Sequence, residues 1–263
     1  MKKMILWAAM ALAAMGNVMA SAAVNDDTVI SKEYKLTGFS GLRTNHAVTI
    51  HYTQGSTYSI KAEGSAKQID RLKLEVKDGL LMVSDEQKEK NNVNNEKQML
   101  TLFITSPDLN RLENKGVLNF YTDKLKTGDF HLVSSGVLRF DARQISCKEA
   151  TCEFKGVSDL DAHIDGTTLK MNDNGVTKGE LVVKTDKLDI HSSGVDNIEV
   201  DYKGKEVSVR KSGTGTISLQ VDCEKLDATN SGVGKIVLSG TADDTSIQNT
   251  GVTKIDVSKL NRF

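Results

Sequence analysis

Residues 192–200 read S-S-G-V-D-N-I-E-V, and a related stretch, K-S-G-T-G-T-I-S-L, returns 19 residues later at 211–219. The glycine of this pattern recurs at Gly116, Gly136, Gly156, Gly175, Gly194, Gly213, Gly232 and Gly251. The first two steps are 20 residues long and the other five are 19. Seven of the eight glycines are followed by Val, and Thr214 follows the remaining one. A constant period near 20 residues predicts one supersecondary unit stacked on itself.

Within each repeat, apolar and polar residues alternate as they do in a β-strand. The position four residues after the glycine holds Phe120, Phe140, Leu160, Gly179, Ile198, Ile217, Ile236 and Ile255. A second alternating pair, such as Leu188 and Ile190, follows later in the repeat. This period of two predicts two short strands per repeat with an inward apolar face. Because one such coil cannot bury that face alone, we predict an all-β fold, a parallel β-solenoid with coils of 19–20 residues. We expect the glycines at its corners, with positive φ.

The region before the repeats is also β in pattern. Residues 48–52 and 58–62 alternate around a Q-G-S-T turn, and residues 72–76 and 80–82 alternate around K-D-G, which predicts two hairpins. The charged stretch 85–98 is typical of a loop. Since the open end of a solenoid needs covering, we expect residues 31–105 to form a hairpin-rich cap and residues 106–263 to form about eight coils.

The chain begins with features of a secretory signal peptide. Lys2 and Lys3 precede an apolar run at 4–15 and a small-residue stretch at 18–23. We predict that residues 1–23 are this peptide, cleaved after Ala20 or Ala23, and that the protein reaches the periplasm, the outer cell surface or the medium. The run is too short to span a membrane, and no other segment is apolar enough to do so. Removing the two lysines leaves 32 of the 34 basic residues against 35 acidic ones, a net charge of −3. This charge argues against nucleic acid as a partner.

The three cysteines leave two alternatives open. Cys147 and Cys223 lie nine residues before a repeat glycine but four coils apart, about 19 Å at a spacing of about 4.8 Å, which is too far for a disulfide. Cys147 and Cys152 either close a small loop by a disulfide or remain buried as small apolar side chains. No histidine stands at ligand spacing to them, so we expect no zinc site.

One outward column of the predicted solenoid is acidic. It lies five residues after the repeat glycines and holds Asp141, Asp161, Glu180 and Glu199. Stacked carboxylates about 5 Å apart suit retaining glycoside cleavage or Ca²⁺ binding, which makes these four residues the candidate metal or sugar ligands. His163 lies two residues beyond Asp161 on the same face. The alternative is a solvated face neutralised by nearby Arg139, Lys178 and Arg143.

Other chemistry-bearing patterns are absent from the sequence. There is no G-x-S-x-G nucleophile elbow, no phosphate-binding glycine motif and no nonapeptide Ca²⁺ repeat. Aromatic residues make up 5% of the chain, although we expect Tyr121 and Tyr202 to point outward. We therefore expect no catalytic residues and no cofactor.

The order of features resembles a known family. The elements are F-S-G-L-R-T-N-H-A-V-T-I-H-Y-T-Q-G from residue 39, a K-D-G-L-L-M-V hairpin, S-P-D-L-N-R-L-E-N-K-G, and then serial S-G-V coils. Together they resemble the secreted bacterial proteins called putative auto-transporter adhesin, head GIN domain. The resemblance runs from about Tyr34 to the end and implies an exported, β-helix-like protein without assigned catalytic residues. Many relatives have S-G-S-G where this chain has S-G-V.

These observations predict a secreted cell-envelope β-solenoid that is a non-enzymatic binding, adhesin-like or structural protein. We expect its partners to be cell-surface proteins or glycans. The alternative is a carbohydrate-active β-helix enzyme or a cation-dependent glycan binder that uses the acidic column.

Overall fold

The structure is a computed structural model that describes residues 28–85 and 99–262. The signal peptide predicted at 1–23 and the loop predicted beyond Asp85 lie outside these described residues. Strands make up 76% of the structure and helix 3%, and the strands wind into a β-solenoid of about 8 turns. The predicted all-β solenoid is therefore confirmed.

The first part of the chain forms seven strands and a short helix. They are β1 (Val29–Tyr34), β2 (Gly41–Thr44), β3 (Ala47–Gln54), β4 (Ser59–Ser65), α1 (Ala66–Arg71), β5 (Leu72–Lys77), β6 (Leu80–Asp85) and β7 (Leu100–Ser106). Helix α1 begins with a capping box, in which Ser65 accepts a hydrogen bond from the backbone of Gln68 while the Gln68 side chain accepts one from the backbone of Ser65.

The repeats form the remaining strands. They are β8 (Arg111–Asn114), β9 (Val117–Thr122), β10 (Leu125–Lys126), β11 (Asp129–Ser134), β12 (Val137–Ser146), β13 (Glu149–Phe154), β14 (Val157–Asp173), β15 (Val176–Ser192), β16 (Val195–Lys211), β17 (Thr214–Asn230), β18 (Lys235–Asn249) and β19 (Asp256–Arg262). From β14 to β17, each strand follows a whole coil around its bends and pairs in parallel with the next.

Like residues stack on like along the solenoid. Ile198 pairs with Ile217 and Ile217 with Ile236, and at most 1% of each residue is exposed. On the other side of the coil, Leu188 pairs with Val207 and is equally buried. These inward columns form one continuous core, as the period of two predicts. The extra residue of the 20-residue coil falls at a register shift between Ala142 and Ile145, where a β-bulge absorbs it.

The repeat glycines are required for a reason other than the one expected. None of the eight has positive φ, so that expectation is wrong. Instead, the glycines of successive coils stack so closely that a Cβ atom at Gly136 would overlap the carbonyl oxygen of Gly116. The same carbonyl accepts a hydrogen bond of 2.9 Å from the amide of Val137. Only a residue without a side chain lets the backbones approach this closely at the corner.

The first strands continue the stack out of chain order. Strand β2 pairs in parallel with β6 on one side and β8 on the other, and β3 lies in the same way between β7 and β9. Residues 41–54 therefore form one coil of the stack. It lies between the coil of residues 80–106 and the coil of residues 111–122.

One of the two expected hairpins is present. Strands β5 and β6 pair antiparallel across a turn in which Asp78 and Gly79 have φ of 51° and 74°. The expected β3–β4 hairpin is wrong, because the two edges of β4 are taken by β7 and β1. Among the described residues, no helix is both long and apolar enough to pass through a bilayer.

Candidate binding surfaces

The four acidic residues predicted as a site stand in one column. Asp141 pairs in register with Asp161, Asp161 with Glu180, and Glu180 with Glu199. Asp141 is half-buried and the other three are exposed. The neighbouring strands are about 4.8 Å apart, so the carboxylates follow one another at that interval. We call these four residues the acidic ladder.

The acidic ladder borders a shallow groove of about 440 Å3. Asp161, Glu180 and Glu199 line it together with Arg143 and His163. The Nε2 atom of His163 is buried and has no hydrogen-bond partner within the described part of the chain. In that same part, no three His, Cys, Asp or Glu side chains are grouped so that they could hold a metal ion.

Two of the three basic residues expected to neutralise the ladder, Lys178 and Arg143, pair elsewhere. The Nζ atom of Lys178 lies 3.0 Å from Asp159 Oδ2, and the Nε atom of Arg143 lies 3.4 Å from Asp123 Oδ1. Within residues 28–85 and 99–262, no ion pair involves a ladder carboxylate. The column therefore keeps its negative charge on an exposed strand face.

Three aromatic rings extend the same column beyond Asp141. His51 lies between Phe103 and Tyr121, with ring centroids 5.2 Å and 5.1 Å away and planes within 16° of parallel. The ammonium of Lys61 lies 5.9 Å from the centre of the Phe103 ring. Because the rings face one another along the solenoid, their edges rather than their faces point to solvent. They are poorly arranged to stack on a sugar.

A second outward column is apolar, and we call it the valine ladder. It lies one residue after the repeat glycines and consists of Val117, Val137, Val157, Val176 and Val195, which pair in register. Each valine is between 39% and 50% exposed. Thr214 continues the column after Val195. A groove of about 660 Å3 runs beside the ladder and is lined on its other side by polar residues that include Asn119, Arg139, Asp159, Lys178 and Asn197.

The expectation that Tyr202 points outward is wrong. It is fully buried, and its hydroxyl lies 2.7 Å from the carbonyl oxygen of Glu206 and 3.0 Å from that of Thr185. The alternation that turns Ile198 and Val200 inward also turns Tyr202 inward when it is carried two residues further. Tyr121 does lie on an outward column and is half-buried.

Asp173, Asp196 and Lys211 form a buried charged cluster that we did not predict from the sequence. At most 2% of each residue is exposed. The Nζ atom of Lys211 contacts Asp196 Oδ2 and donates a 2.6 Å hydrogen bond to the carbonyl oxygen of Thr214. Asp196 lies two residues after a repeat glycine, and Asp173 and Lys211 lie two residues before one. The period of two places all three positions on inward columns and would have predicted their burial.

The carboxyl groups of this cluster have few partners. Asp173 Oδ1 accepts hydrogen bonds of 3.0 Å from the Gly175 amide and 2.9 Å from the Thr177 hydroxyl. Ser192 donates to Asp196 Oδ2. Asp173 Oδ2 and Asp196 Oδ1 are buried without a hydrogen-bond partner among the described residues. Burial, followed by the adjacent Asp196 carboxyl, raises the pKa of Asp173 to about 7.

The three cysteines are free thiols in the structure, and all are buried. Burial raises the pKa of Cys147 and Cys223 to about 11 and that of Cys152 to about 12. Because the thiolate is the reactive form, these cysteines are inert and contribute to the core. Of the two alternatives for Cys147 and Cys152, the structure has the buried thiols.

Solved structures with this architecture include three proteins from Bacteroides fragilis and Parabacteroides distasonis. A putative adhesin from Bacteroides fragilis is 25% identical, with a TM-score of 0.65 over 87% of this chain and 96% of that one. A putative lipid binding protein from Parabacteroides distasonis is 16% identical, with a TM-score of 0.67 over 91% and 98%. A putative adhesin from the same species is 16% identical, with a TM-score of 0.50 over 90% and 98%.

Among curated proteins, none matches the chain. The family model described as "Putative auto-transporter adhesin, head GIN domain" matches residues 38–200 and again residues 169–262. Between them the two matches extend over nearly all of the described solenoid. The chain belongs to this family.

Proposed function

We propose that this protein is an exported, non-enzymatic binding protein of the cell envelope, and that the valine ladder is the surface that contacts its partner. In this proposal residues 1–23 direct export, residues 31–105 cover one end of the solenoid, and residues 106–263 present the binding face. The family relationship and the adhesin-like relative from Bacteroides fragilis support a binding role.

The exposed valines carry the proposal. The core does not need them, because apolar inward columns such as that of Ile198, Ile217 and Ile236 are already fully buried. Nevertheless, five successive coils place a valine at this one exposed position. Contiguous exposed apolar surface of this kind marks interaction sites.

A protein is the partner that best fits this face. The valine ladder is flanked by charged and amide side chains, among them Arg139, Lys178 and Asn197. An apolar strip with a polar rim is the usual arrangement of a protein–protein interface. A glycan would favour open ring faces, whereas the rings of His51 and Tyr121 cover one another.

Catalysis at the acidic ladder is less well supported. A general acid that acts near neutral pH needs burial or close charge to hold its proton. Asp161, Glu180 and Glu199 are exposed to solvent. We therefore favour binding over glycoside cleavage.

A binding measurement on whole cells tests the proposal. Fluorescent purified protein is titrated onto intact cells of the producing bacterium and compared with a variant that carries Val137→Thr, Val157→Thr, Val176→Thr and Val195→Thr. Threonine keeps the β-branched shape and already occupies position 214 in this column. We expect saturable binding by the parent and a loss of at least about tenfold in the variant, since burying several valines contributes more than 1.4 kcal/mol.

The matched control carries Asp161→Asn, Glu180→Gln and Glu199→Gln in the acidic ladder, four residues further along the same strands, and should bind like the parent. Treating the cells with protease should abolish binding, and periodate should not. Equal binding by the threonine variant, or its loss after periodate alone, would contradict the proposal. Amino-terminal sequencing of the envelope-fraction protein tests export: a start at Ser21 or Val24 supports it, and a retained Met1 contradicts it.

A second candidate is a cation-dependent glycan binder in the acidic groove. It is favoured by one observation, the Nε2 of His163, unpartnered among the described residues, in the groove that Asp161, Glu180 and Glu199 line. The calcium measurement described below separates this function from the first.

A further inference from the structure

The buried charged cluster is an unusual feature of the solenoid interior. The side chains of Lys211 and Asp196 are 0% exposed and in contact. Removing an ammonium and a carboxylate from water is expensive, and apolar residues of the same size would stabilise a core at least as well. The pair lies inside a coil whose other inward positions, such as Ile198 and Val209, are apolar. The presence of this buried ion pair therefore calls for a chemical explanation.

The local sequence makes room for this pair. Lys211 and Asp196 are the last and second residues of β16, so the pair closes a single coil from inside. The column that holds Asp196 continues with Gly215, and Gly234 lies against the Lys211 side chain. A Cβ atom at Gly234 would overlap Lys211 Cε. The lysine is thus directed onto Asp196 by the packing around it.

We propose that Lys211 and Asp196 form an intramolecular isopeptide bond, an amide between Nζ and Cγ, and that Asp173 is the acid–base group that moves the protons. The second carboxyl is in position for this role. Asp173 pairs in register with Ser192, which donates a hydrogen bond to Asp196, and Thr177, which pairs with Asp196, donates one to Asp173. Both carboxyl groups keep one buried oxygen without another partner, and a single proton shared between these oxygens satisfies both.

The reaction balances without any added reagent. A proton passes from the Lys211 ammonium to the Asp196 carboxylate, which leaves an amine and a carboxylic acid. The nitrogen lone pair attacks Cγ and forms the Nζ–Cγ bond. Asp173 then gives its proton to the departing oxygen of Asp196, and the Cγ–O bond breaks. The nitrogen loses one proton, which returns to Asp173. One ammonium and one carboxylate become one amide and one water, and no electrons are gained or lost.

Two physical conditions favour the amide here. Holding the amine against the carboxyl replaces a bimolecular encounter by contact, which is worth effective concentrations of roughly 10⁵ M or more in well-oriented systems. The product also removes two charges that are costly to keep buried. Ser192 lies between Asp173 and Lys211 in register, and its hydroxyl contacts Asp196, so it is placed to relay the returning proton.

Peptide mapping of the purified protein tests this inference. After denaturation and trypsin digestion, we expect the peptide 188–203 to be joined to the peptide 211–225, with a mass lower than their sum by one water. Cleavage after Lys211 should be absent. The exposed pair of Lys203 and Asp222, whose Nζ and Oδ2 atoms are 2.7 Å apart, is an internal control and should remain unlinked. Recovery of free 188–203 and 212–225 in full yield from folded protein would overturn the proposal.

Two variants test the isopeptide bond and the role of Asp173 separately. Lys211→Arg keeps a cation but should give no branched peptide. Asp173→Asn should slow formation of the branched peptide at least tenfold in freshly folded protein, while circular dichroism remains that of the parent. If Asp173→Asn forms the bond as fast as the parent, the role of Asp173 is wrong. The parent digest does not depend on whether either variant folds.

Discussion

The hydroxyl of Tyr202 donates a hydrogen bond of 2.7 Å to the backbone carbonyl of Glu206, four residues later in the same coil. The carbonyl oxygens of Thr185 and Asp186 in the preceding coil lie at 3.0 Å and 3.1 Å from the same hydroxyl. Tyr202 therefore joins two coils from inside the core.

Tyr202→Phe removes only this hydroxyl. We expect it to lower the free energy of unfolding by about 1–2 kcal/mol, because a buried acceptor then lacks its donor. Urea titration followed by circular dichroism measures the change. Tyr121→Phe is the matched control, since Tyr121 is only half-buried and keeps its stacking on His51 as phenylalanine. Equal effects of the two substitutions would contradict the role of Tyr202.

The central isoleucine column predicts a larger effect. Ile217 is 0% exposed between Ile198 and Ile236. Ile217→Ala should lower the free energy of unfolding by about 2–5 kcal/mol, because it leaves a cavity that the stacked backbones cannot close. Gln220→Ala, on an exposed position of the same strand, should change it by less than about 0.5 kcal/mol. Similar losses would mean that the register is wrong.

Asp173 predicts a pH dependence of stability. Its pKa of about 7 in the folded protein lies above its ordinary value of 3.8, so the folded state holds a proton that the unfolded state releases. The resulting stabilisation is complete below about pH 4 and is lost as the pH rises through 7. Burial is the main cause of the shift and the adjacent Asp196 carboxyl raises the pKa further, while the Gly175 amide and the Thr177 hydroxyl, which donate to this carboxyl, lower it.

The measurement for Asp173 is the melting temperature from pH 4 to pH 8 in the parent and in Asp173→Asn. We expect the parent to lose stability over this range relative to the variant, which has no proton to release. Comparing the difference between the two proteins cancels the effect of other carboxyl groups. A difference that does not change with pH would contradict the raised pKa.

The acidic ladder predicts a response to charge removal. Asp161 and Glu180 are paired, exposed and without cationic partners among the described residues. Replacing them by Asn and Gln should raise the stability by a few tenths of a kcal/mol at low salt, through relief of like-charge repulsion. We expect Ca²⁺ to raise the melting temperature of the parent no more than NaCl of the same ionic strength does.

Calcium stabilisation that the double variant lacks would reverse this prediction. A ligand that binds only the folded state must raise the melting temperature. That result would favour the cation-dependent glycan binder over the protein-binding function. Asp222→Asn, at an exposed carboxylate outside the ladder, is the control for general charge effects.

The cysteines predict slow thiol chemistry. With pKa values of about 11 to 12 and buried sulfur atoms, Cys147, Cys152 and Cys223 should not react with a disulfide reagent at pH 8 in the folded protein. All three should react after unfolding in denaturant. A fast reaction of two thiols in the folded state, or recovery of only one thiol after unfolding, would contradict the structure.

The period of the repeat glycines and the alternation that follows each of them were sufficient to predict the stacked coils, the buried isoleucine column and the position of the acidic ladder. These features recur in every coil, so the pattern of one coil predicts the pattern of the next. Tyr202 and the cluster around Lys211 lie on the same inward columns, but a polar side chain on such a column reveals neither its partners nor its burial until the neighbouring coils are packed against it.

The sequence by itself determined the solenoid, because 19-residue coils with one apolar face can bury that face only by stacking. Only the tertiary structure decided three other features. Strands β6 and β7 pair with β2 and β3 on the side away from β8 and β9, out of chain order. The place of a strand in the sheet depends on which free edge the chain reaches when it returns. Gly116 and Gly136 are needed for close approach rather than for positive φ, since the distance between coils is not encoded in one coil. The contact of Lys211 with Asp196 depends on side-chain direction within a filled interior, which the alternation of the sequence leaves open.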